Sequence, residues 1–414
     1  MRYLTVTLPV ALLLTLAAPA LAAEAVRGQI VVGFHSGTTH ARAAALVQDA
    51  GGRVARRLDR IGAVVVRPRS GSDTSALRKR LRRLSAVRYA EPDFILAKSV
   101  TPDDPSYNVQ YALGSSANGI SAPSAWDHRT SCSLVAELDT GVQYNHPDLT
   151  GNVWHNPHEI AGNNVDDDHN GYVDDYYGVN IQEGRDSGSD GDGHGTHVAG
   201  IMAGHGNNGT GISGECWSAQ VMPIRFMNDQ GKGSTSDAIA GIDYAIHEHA
   251  KIVNCSFGSS ASSSALQDAV KSAENAGVLL VVAAGNNSQS VDSTPEYPAA
   301  YTNGNILTVA ATDSAGNLAS FSNYGAKSVD LGAPGDNIYS TSLTSTYKYL
   351  SGTSMAAPMV SAAAAMLHAD DSNLTYSQIR STLKASVDPD PALQGKTVAG
   401  GRLDVNHALA QAGG

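Results

Sequence analysis

The chain has 414 residues, a formal net charge of −11, 42% hydrophobic and 16% charged residues, and only 6% aromatics. That length exceeds a single domain of about 100–200 residues, so two domains, or one large domain with an appendage, are expected around a full hydrophobic core. Three cysteines exclude a disulfide scaffold and leave at least one thiol unpaired within the chain, and the acidic balance speaks against nucleic acid as the partner.

The charge is unevenly spread along the chain. Residues 1–23 hold one basic residue, residues 24–100 hold 15 Lys and Arg against 6 Asp and Glu, and residues 101–414 hold 12 against 33. Residues 1–22 read as an export signal: Arg2 is the charged start, Leu4 to Leu16 the apolar stretch, and Ala20-Leu21-Ala22 the cleavage site. No later apolar run reaches about 18 residues, so a secreted, extracellular protein is expected, with no membrane attachment after signal cleavage.

Residues 23–100 form the next unit. Gln29–Phe34 alternates like a strand, His40–Ala50 is helical, and Val54–Leu58 and Ala63–Arg67 are strand-like. Leu77, Leu81 and Leu84 recur at helical spacing, and Tyr89–Leu96 closes the series. The order β-α-β-β-α-β is the ferredoxin-like pattern. The arginine-rich run 78–83 is the solvated face of one helix, or a face that meets an acidic partner. From residue 101 onward, short apolar strands (Leu134–Leu138, Val221–Ile224, Ile252–Ser256, Val278–Ala283, Ile306–Ala311) alternate with helical stretches at Ser236–His249, Ser264–Ala276 and Met355–His368. This alternation predicts an α/β domain with a doubly wound, mostly parallel sheet. Ligands bind beyond the carboxyl ends of the strands in such sheets.

The chemistry-bearing residues do follow strands. Asp139 succeeds Leu134–Leu138, where an Asp is ordinarily a turn former. His194 and His197 stand three apart in Gly193–Gly200, but no Glu is placed as in H-E-x-x-H, and His247-Glu248-His249 has the wrong spacing for zinc as well. Ser354 opens the alanine-rich helix within Gly352–Pro358. It is either a plain helix cap or a nucleophile beside helix amides that serve an oxyanion. Asp, His and Ser fall in one of the known chain orders of a catalytic triad. In such a triad imidazole takes the serine proton and carboxylate orients the imidazole. Asn286, in Ala283-Ala284-Gly285-Asn286 at the end of the most apolar strand, can donate to a tetrahedral oxyanion.

On Leu138–Val142, His194–Gly200, Ala283–Asn286 and Gly352–Pro358 the chain resembles the subtilisin family of secreted serine proteases across nearly all of residues 103–412. Residues 27–98, ending Tyr89-Ala90-Glu91-Pro92-Asp93, resemble that family's inhibitory propeptide. The resemblance implies Asp139, His194 and Ser354 as the triad, and an oxyanion hole of Asn286 with the Ser354 amide. It implies two strands flanking extended substrate, at Gly231, Lys232, Gly233 and Ser234 and at Ser256, Phe257 and Gly258, with Ala283, Ala284 and Gly285 also at the substrate. Tyr297-Pro298 matches a position often cis in the family. The implied partners are protein and peptide substrates and the chain's own propeptide, acting as an intramolecular inhibitor cut off autocatalytically near residues 96–103; a monomer is expected. Opposite charge of propeptide and enzyme would favour their docking.

Calcium is the implied cofactor. Asp166, Asp168, Asn170, Gly171 and Tyr172 follow the first half of an EF-hand-type loop, but Tyr177 stands where the closing Glu belongs, so Asp174 or Asp175 is expected to close a shortened site. By resemblance, a second site draws on Gly206, Asn208, Thr210 and Ile212, joined by Asp148 and Asp104. Cys255 and Cys216 are expected to be buried thiols, and a Cys132–Cys216 bridge is conceivable after export. Two rivals weigh less. A catalytically silent binding protein conflicts with the intact Asp139, His194, Ser354 and Asn286. An α/β-hydrolase esterase conflicts with the chain order and the missing Gly-x-Ser-x-Gly elbow.

Overall fold

The computed structural model describes residues 25–69, 73–94, 100–115, 118–184 and 188–412. The expected export signal lies outside them, as does much of the expected processing segment. The chain divides into two compact units, Met1–Lys98 and Ser99–Gly414.

The first unit contains β1 (Ala25–Phe34), α1 (His40–Asp49), β2 (Gly52–Leu58), β3 (Ala63–Pro68), α2 (Thr74–Arg82) and β4 (Val87–Phe94). The strands lie in the order β2-β3-β1-β4, and every pairing is antiparallel. This is the ferredoxin-like arrangement expected from the element order. Ala43 and Val47 of α1 and Leu77 and Leu81 of α2 pack on Ile30, Val32, Val64 and Val66, each helix presenting an i, i+4 pair to the sheet. Arg80 and Arg82 reach back to the carbonyls of Ala50 and Ala90.

The second unit runs through α3 (Ala122–Trp126), β5 (Ser131–Asp139), β6 (Val179–Asn180), α4 (His194–Ala203), β7 (Ser218–Arg225), α5 (Thr235–His247), β8 (Ile252–Cys255) and α6 (Ser264–Asn275). It continues with β9 (Leu279–Ala283), β10 (Ile306–Thr312), β11 (Leu331–Pro334), β12 (Ile338–Ser342), β13 (Thr346–Leu350), α7 (Thr353–Asp370), α8 (Tyr376–Ala385), β14 (Asp388–Pro389), β15 (Gly401–Arg402) and α9 (Val405–Ala412). Nine strands form one sheet in the order β14-β15-β11-β10-β9-β8-β5-β7-β6. It is parallel except at its β14–β15 edge.

Alternation sorts the strand side chains to two cores. Val135, Leu279, Val281 and Ala283 face α4 and α7, whereas Ala136, Leu138, Leu280 and Val282 face α5 and α6. In α6, Leu266, Ala269, Val270 and Ala273 make the buried stripe. The five expected strands and three expected helices all form. Absent from the sequence reading are α3, β6, α4, β11, the β12–β13 hairpin and the elements after Asp370. Glycines at 195 and 200 weaken helix propensity in α4, but they are what lets it dock. A β-carbon at Gly195 would collide with the Gly141 carbonyl oxygen, and one at Gly200 with the hydroxyls of Thr341 and Ser340.

Cys132 on β5 is disulfide-bonded to Cys216, 84 residues on, so Cys216 is not a free thiol. Cys255 is the buried free cysteine. Closing a loop of that length is worth up to about 4.5 kcal/mol by chain entropy, and measured cross-links typically deliver about 2–4 kcal/mol. Replacing both Cys132 and Cys216 by Ala should lower the midpoint of chemical denaturation by a corresponding amount, and replacing Cys255 by Ala should not mimic that loss.

Candidate active site

The site is assembled at the carboxyl ends of β5, β7, β8 and β9, with the starts of α4 and α7 brought over them. Asp139 is the last residue of β5 and is fully buried. Its Oδ1 accepts the Thr140 amide at 2.7 Å and stands 2.7 Å from His194 Nδ1. His194 is the first residue of α4 and keeps 27% of its side chain open to solvent.

The start of α4 is held by a group the sequence reading missed. Asp190 accepts from the Gly193 amide, the Thr196 amide and hydroxyl, and the Thr140 hydroxyl, and Thr140 Oγ1 accepts the Gly195 amide. The residue beside Asp139 and the residue beside His194 are therefore tied together. Its only sequence signal is a carboxylate shortly before a helix, the usual way to satisfy free helix amides. Burial draws the His194 pKa down, but the charges of Asp139, Asp192 and Asp190 outweigh it and hold the imidazole above its ordinary value.

Ser354 sits in the first turn of α7. Pro358, four residues on, has no N–H for the Ser354 carbonyl, and the Ser256 hydroxyl donates to that carbonyl at 3.1 Å. Asn254 supports Ser256 at 2.9 Å and is itself held by Ser361. The Ser354 hydroxyl donates to the Ser256 carbonyl at 3.1 Å. So the structure pairs Asp139 with His194 directly and turns the Ser354 hydroxyl to the loop after β8.

Asn286 is oriented by the residue before Ser354. Its Oδ1 accepts the Thr353 amide at 2.8 Å and the Thr353 hydroxyl at 3.0 Å, while Thr353 Oγ1 accepts the Gly285 amide. Nδ2 is thereby turned away from Thr353. A point one bond off Gly352 Cα lies 3.5 Å from Asn286 Nδ2 and 3.6 Å from the Ser354 amide nitrogen. Two N–H donors converge there, in space that a side chain at 352 would fill. Thr353, fully buried, was not singled out from sequence.

A groove of about 560 Å³ opens beside His194. Gly231, Lys232, Gly233, Ser256, Phe257 and Gly258 all line it, with Phe226, Met227, Ala238, Leu266 and Tyr297 as an apolar floor and wall. The two flanking segments are loops rather than the expected strands. Gly231–Ser234 follows a turn built on Asn228 and ends as the cap of α5, and β8 stops at Cys255. Neither has a strand partner of its own in the sheet, which leaves backbone for an added chain. Ala283 and Ala284 do not line the groove. Both are buried, because the end of β9 lies inside the sheet. Gly285 packs against Asn323 and Glu296. The Tyr297–Pro298 bond is cis.

The acidic insertion brings together a different set from the one expected. Asp168 and Asp175 meet Glu159, which the sequence reading missed, with ligand oxygens within 4.8 Å of one another. Asp166 instead accepts the Asn170 and Gly171 amides. Asp174, in a left-handed conformation, turns to the Gly162, Asn163 and Asn164 amides. Asn170 donates to Asp175, and the Tyr172 ring packs edge-on against Tyr244. Glu159 Oε2 is buried without a partner. An orphaned carboxylate oxygen beside two further carboxylates fits a hard divalent cation. Around Asp148, the Ile212 amide and the Asn208 side chain donate to its carboxylate. Asp104 accepts the Asn207 and Asn208 amides, and Asn208 Oδ1 accepts the Thr210 amide. Gly206 packs against Trp217. The set is oxygen-rich, but both Asp148 oxygens already accept from protein donors and the Asn208 amide must turn over to present its oxygen to a cation.

Residues 131–407 match Peptidase_S8, the subtilase family, and residues 15–93 match the fervidolysin N-terminal prodomain. The chain belongs to the subtilase family and is a subtilisin-like serine protease with an N-terminal prodomain. Over 290 residues it is 40% identical to thermitase of Thermoactinomyces vulgaris, covering 70% of this chain and 92% of that one. It is 34% identical to a thermophilic serine proteinase of Bacillus sp. (strain AK1), over 88% of this chain and 82% of the relative. Among solved structures, a protease from Pseudoalteromonas arctica PAMC 21717 superposes with a TM-score of 0.65 at 30% identity, covering 76% of this chain and all of that one.

The charge around the imidazole has a direct readout. In an NMR titration of His194, the midpoint should lie above the free-imidazole value, and Asp139→Asn should lower it. A midpoint that Asp139→Asn leaves in place would contradict the pairing.

Proposed function

We propose that the protein is a secreted endopeptidase that cleaves protein substrates through an acyl-enzyme on Ser354. The observation that carries this reading is the 2.7 Å Asp139–His194 pair on the groove whose Ser256 wall holds Ser354. In the reaction the Ser354 hydroxyl turns from the Ser256 carbonyl and attacks the scissile carbonyl carbon. His194 takes its proton, Asp139 stabilises the imidazolium, and the Ser354 amide and Asn286 Nδ2 receive the oxyanion. His194 then protonates the leaving amine, and water releases the acyl group by the same route. The peptide adds as an extended strand between Gly231–Ser234 and Ser256–Gly258, with a large apolar side chain against Phe226, Phe257 and Leu266.

Supporting the maturation scheme are the prodomain match and the apolar leader of residues 4–16. Among the described residues no helix is long and apolar enough to cross a membrane. The prodomain is expected to inhibit the enzyme until autocatalytic cutting near residues 96–103, leaving a monomeric extracellular enzyme. A fluorophosphonate should label Ser354 of the processed protein stoichiometrically, whereas Ser354→Ala expressed in a protease-free host should stay full length. An unlabelled processed protein would sink the protease mechanism, and efficient maturation of the variant would sink self-processing.

Calcium would be structural, held by Glu159, Asp168 and Asp175 and by Asp104, Asp148 and Asn208 with neighbouring carbonyls. Bound calcium neutralises buried carboxylates and stabilises only the folded chain, by about 2.7 kcal/mol at a hundredfold excess over Kd. A chelator should therefore shorten the half-life at elevated temperature, and Glu159→Gln should reduce that sensitivity. Equal half-lives with and without chelator would remove the metal.

A further inference from the structure

Glu137 lies on β5 two residues before Asp139. It shares with Val135 and Asp139 the face covered by α4 and α7, since side chains alternate along a strand. It is 1% exposed, and neither of its carboxyl oxygens has a hydrogen-bond partner among the described residues. A β-carbon on Gly195 would stand 3.1 Å from Glu137 Oε1, so the carboxyl group is tucked beneath the first turn of α4, at the residue after His194. Asp139 Oδ2 is likewise buried and unpartnered, its Oδ1 being taken by Thr140 and His194. Residues i and i+2 are about 7 Å apart along a strand and share a face, a span that a glutamate and an aspartate side chain leaning toward each other are long enough to close. Two bare carboxylates buried there would be prohibitively costly, whereas one acid donating to one carboxylate removes one of the two charges and partners Asp139 Oδ2 and one Glu137 oxygen.

None of the charges around it serves as a counter-ion. Asp139 on β5 and Asp190 ahead of α4 are both negative. From α4, His194 is engaged with Asp139, and His197 places Nε2 between the Ile338 and Lys348 carbonyls. On β7, Arg225 binds the Ser189 carbonyl and Asp229. On β8, Asn254 is held by Ser256 and Ser361, and Cys255 is a buried thiol; α7 contributes Ser361 to this contact. Burial, then the charges of Asp139 and Asp190, push the Glu137 acid well above the ordinary carboxyl range.

We propose that Glu137 is a positioning residue, carried as the neutral carboxylic acid and donating a hydrogen bond to Oδ2 of Asp139. The inference rests on the triad reading above. A neutral acid leaves Asp139 as the single negative charge directly paired with the imidazole. Its O–H both fixes the rotation of the Asp139 carboxylate and draws charge from it, which restrains the basicity of His194.

The self-matured protein is compared with its Glu137→Gln and Glu137→Leu variants. The wild-type minus Glu137→Gln infrared difference spectrum at neutral pH should show a protonated-carboxyl C=O stretch that shifts on deuteration; its absence overturns the proposal. Glu137→Leu should lower kcat about tenfold, the loss expected for one hydrogen bond to a charged group, with KM unchanged. It should also move the acidic limb of kcat to higher pH, because Asp139 then concentrates its charge on the imidazolium. Glu137→Gln retains an N–H donor and should recover most of the loss and the wild-type limb. A Leu variant with the wild-type limb and kcat, or a Gln variant as impaired as Leu, also overturns it. Should the Leu variant fail to fold, the infrared comparison decides. Failure of the triad reading is seen separately, as an unlabelled Ser354 in the wild-type protein.

Discussion

A parallel sheet covered on both faces leaves its strand ends as the place where polar groups can be used without burial under a helix, and the second unit of this protein is organised by that constraint. Leu279–Ala283 is buried throughout, apolar on both faces, and its neighbours β8 and β10 are as dry. Polar chemistry is therefore displaced to the carboxyl edge, where Asp139 ends β5, Ser256 follows β8 and Asn286 follows β9. The rigidity of the sheet fixes their spacing before any of them makes a contact.

Two helix starts complete the edge, and each is held by a defect in its own helix. α4 begins after Gly193 in the left-handed conformation, and its free amides are gathered by Asp190 and Thr140. α7 contains Pro358, whose missing N–H leaves the Ser354 carbonyl for the Ser256 hydroxyl. Features that lower helix stability in isolation here fasten His194 and Ser354 to neighbouring strands.

Buried acids recur with three different outcomes. Asp330 meets Arg380 and Lys384 and is balanced as a salt-bridged structural group. Glu159, Asp168 and Asp175 face one another in a set of oxygens that fits a hard cation. Among the described residues Glu137 has neither cation nor donor, and protonation is the proposed way to carry it. The acidity of residues 101–414 is thus partly interior, not only a property of the surface.

Local pattern was enough to read the βαββαβ unit, the five central strands and three of the helices, because apolar periodicity is a local signal. It also singled out Asp139, His194, Asn286 and Ser354, whose short motifs place each at a strand end or helix start. Only the tertiary structure brought in Thr353 behind Asn286, Asp190 beneath α4 and Glu159 beside Asp168: Thr353 and the Thr140 contact of Asp190 act across 67 and 50 residues, and the nearer contacts of Asp190 and Glu159 depend on how an irregular loop turns its side chains. It likewise decided that Asp166 and Asp174 bind backbone amides, that Ala283 and Ala284 are core, and that Cys132 joins Cys216. Side-chain direction and burial depend on what the rest of the chain places alongside. A residue's type and spacing leave those neighbours unspecified.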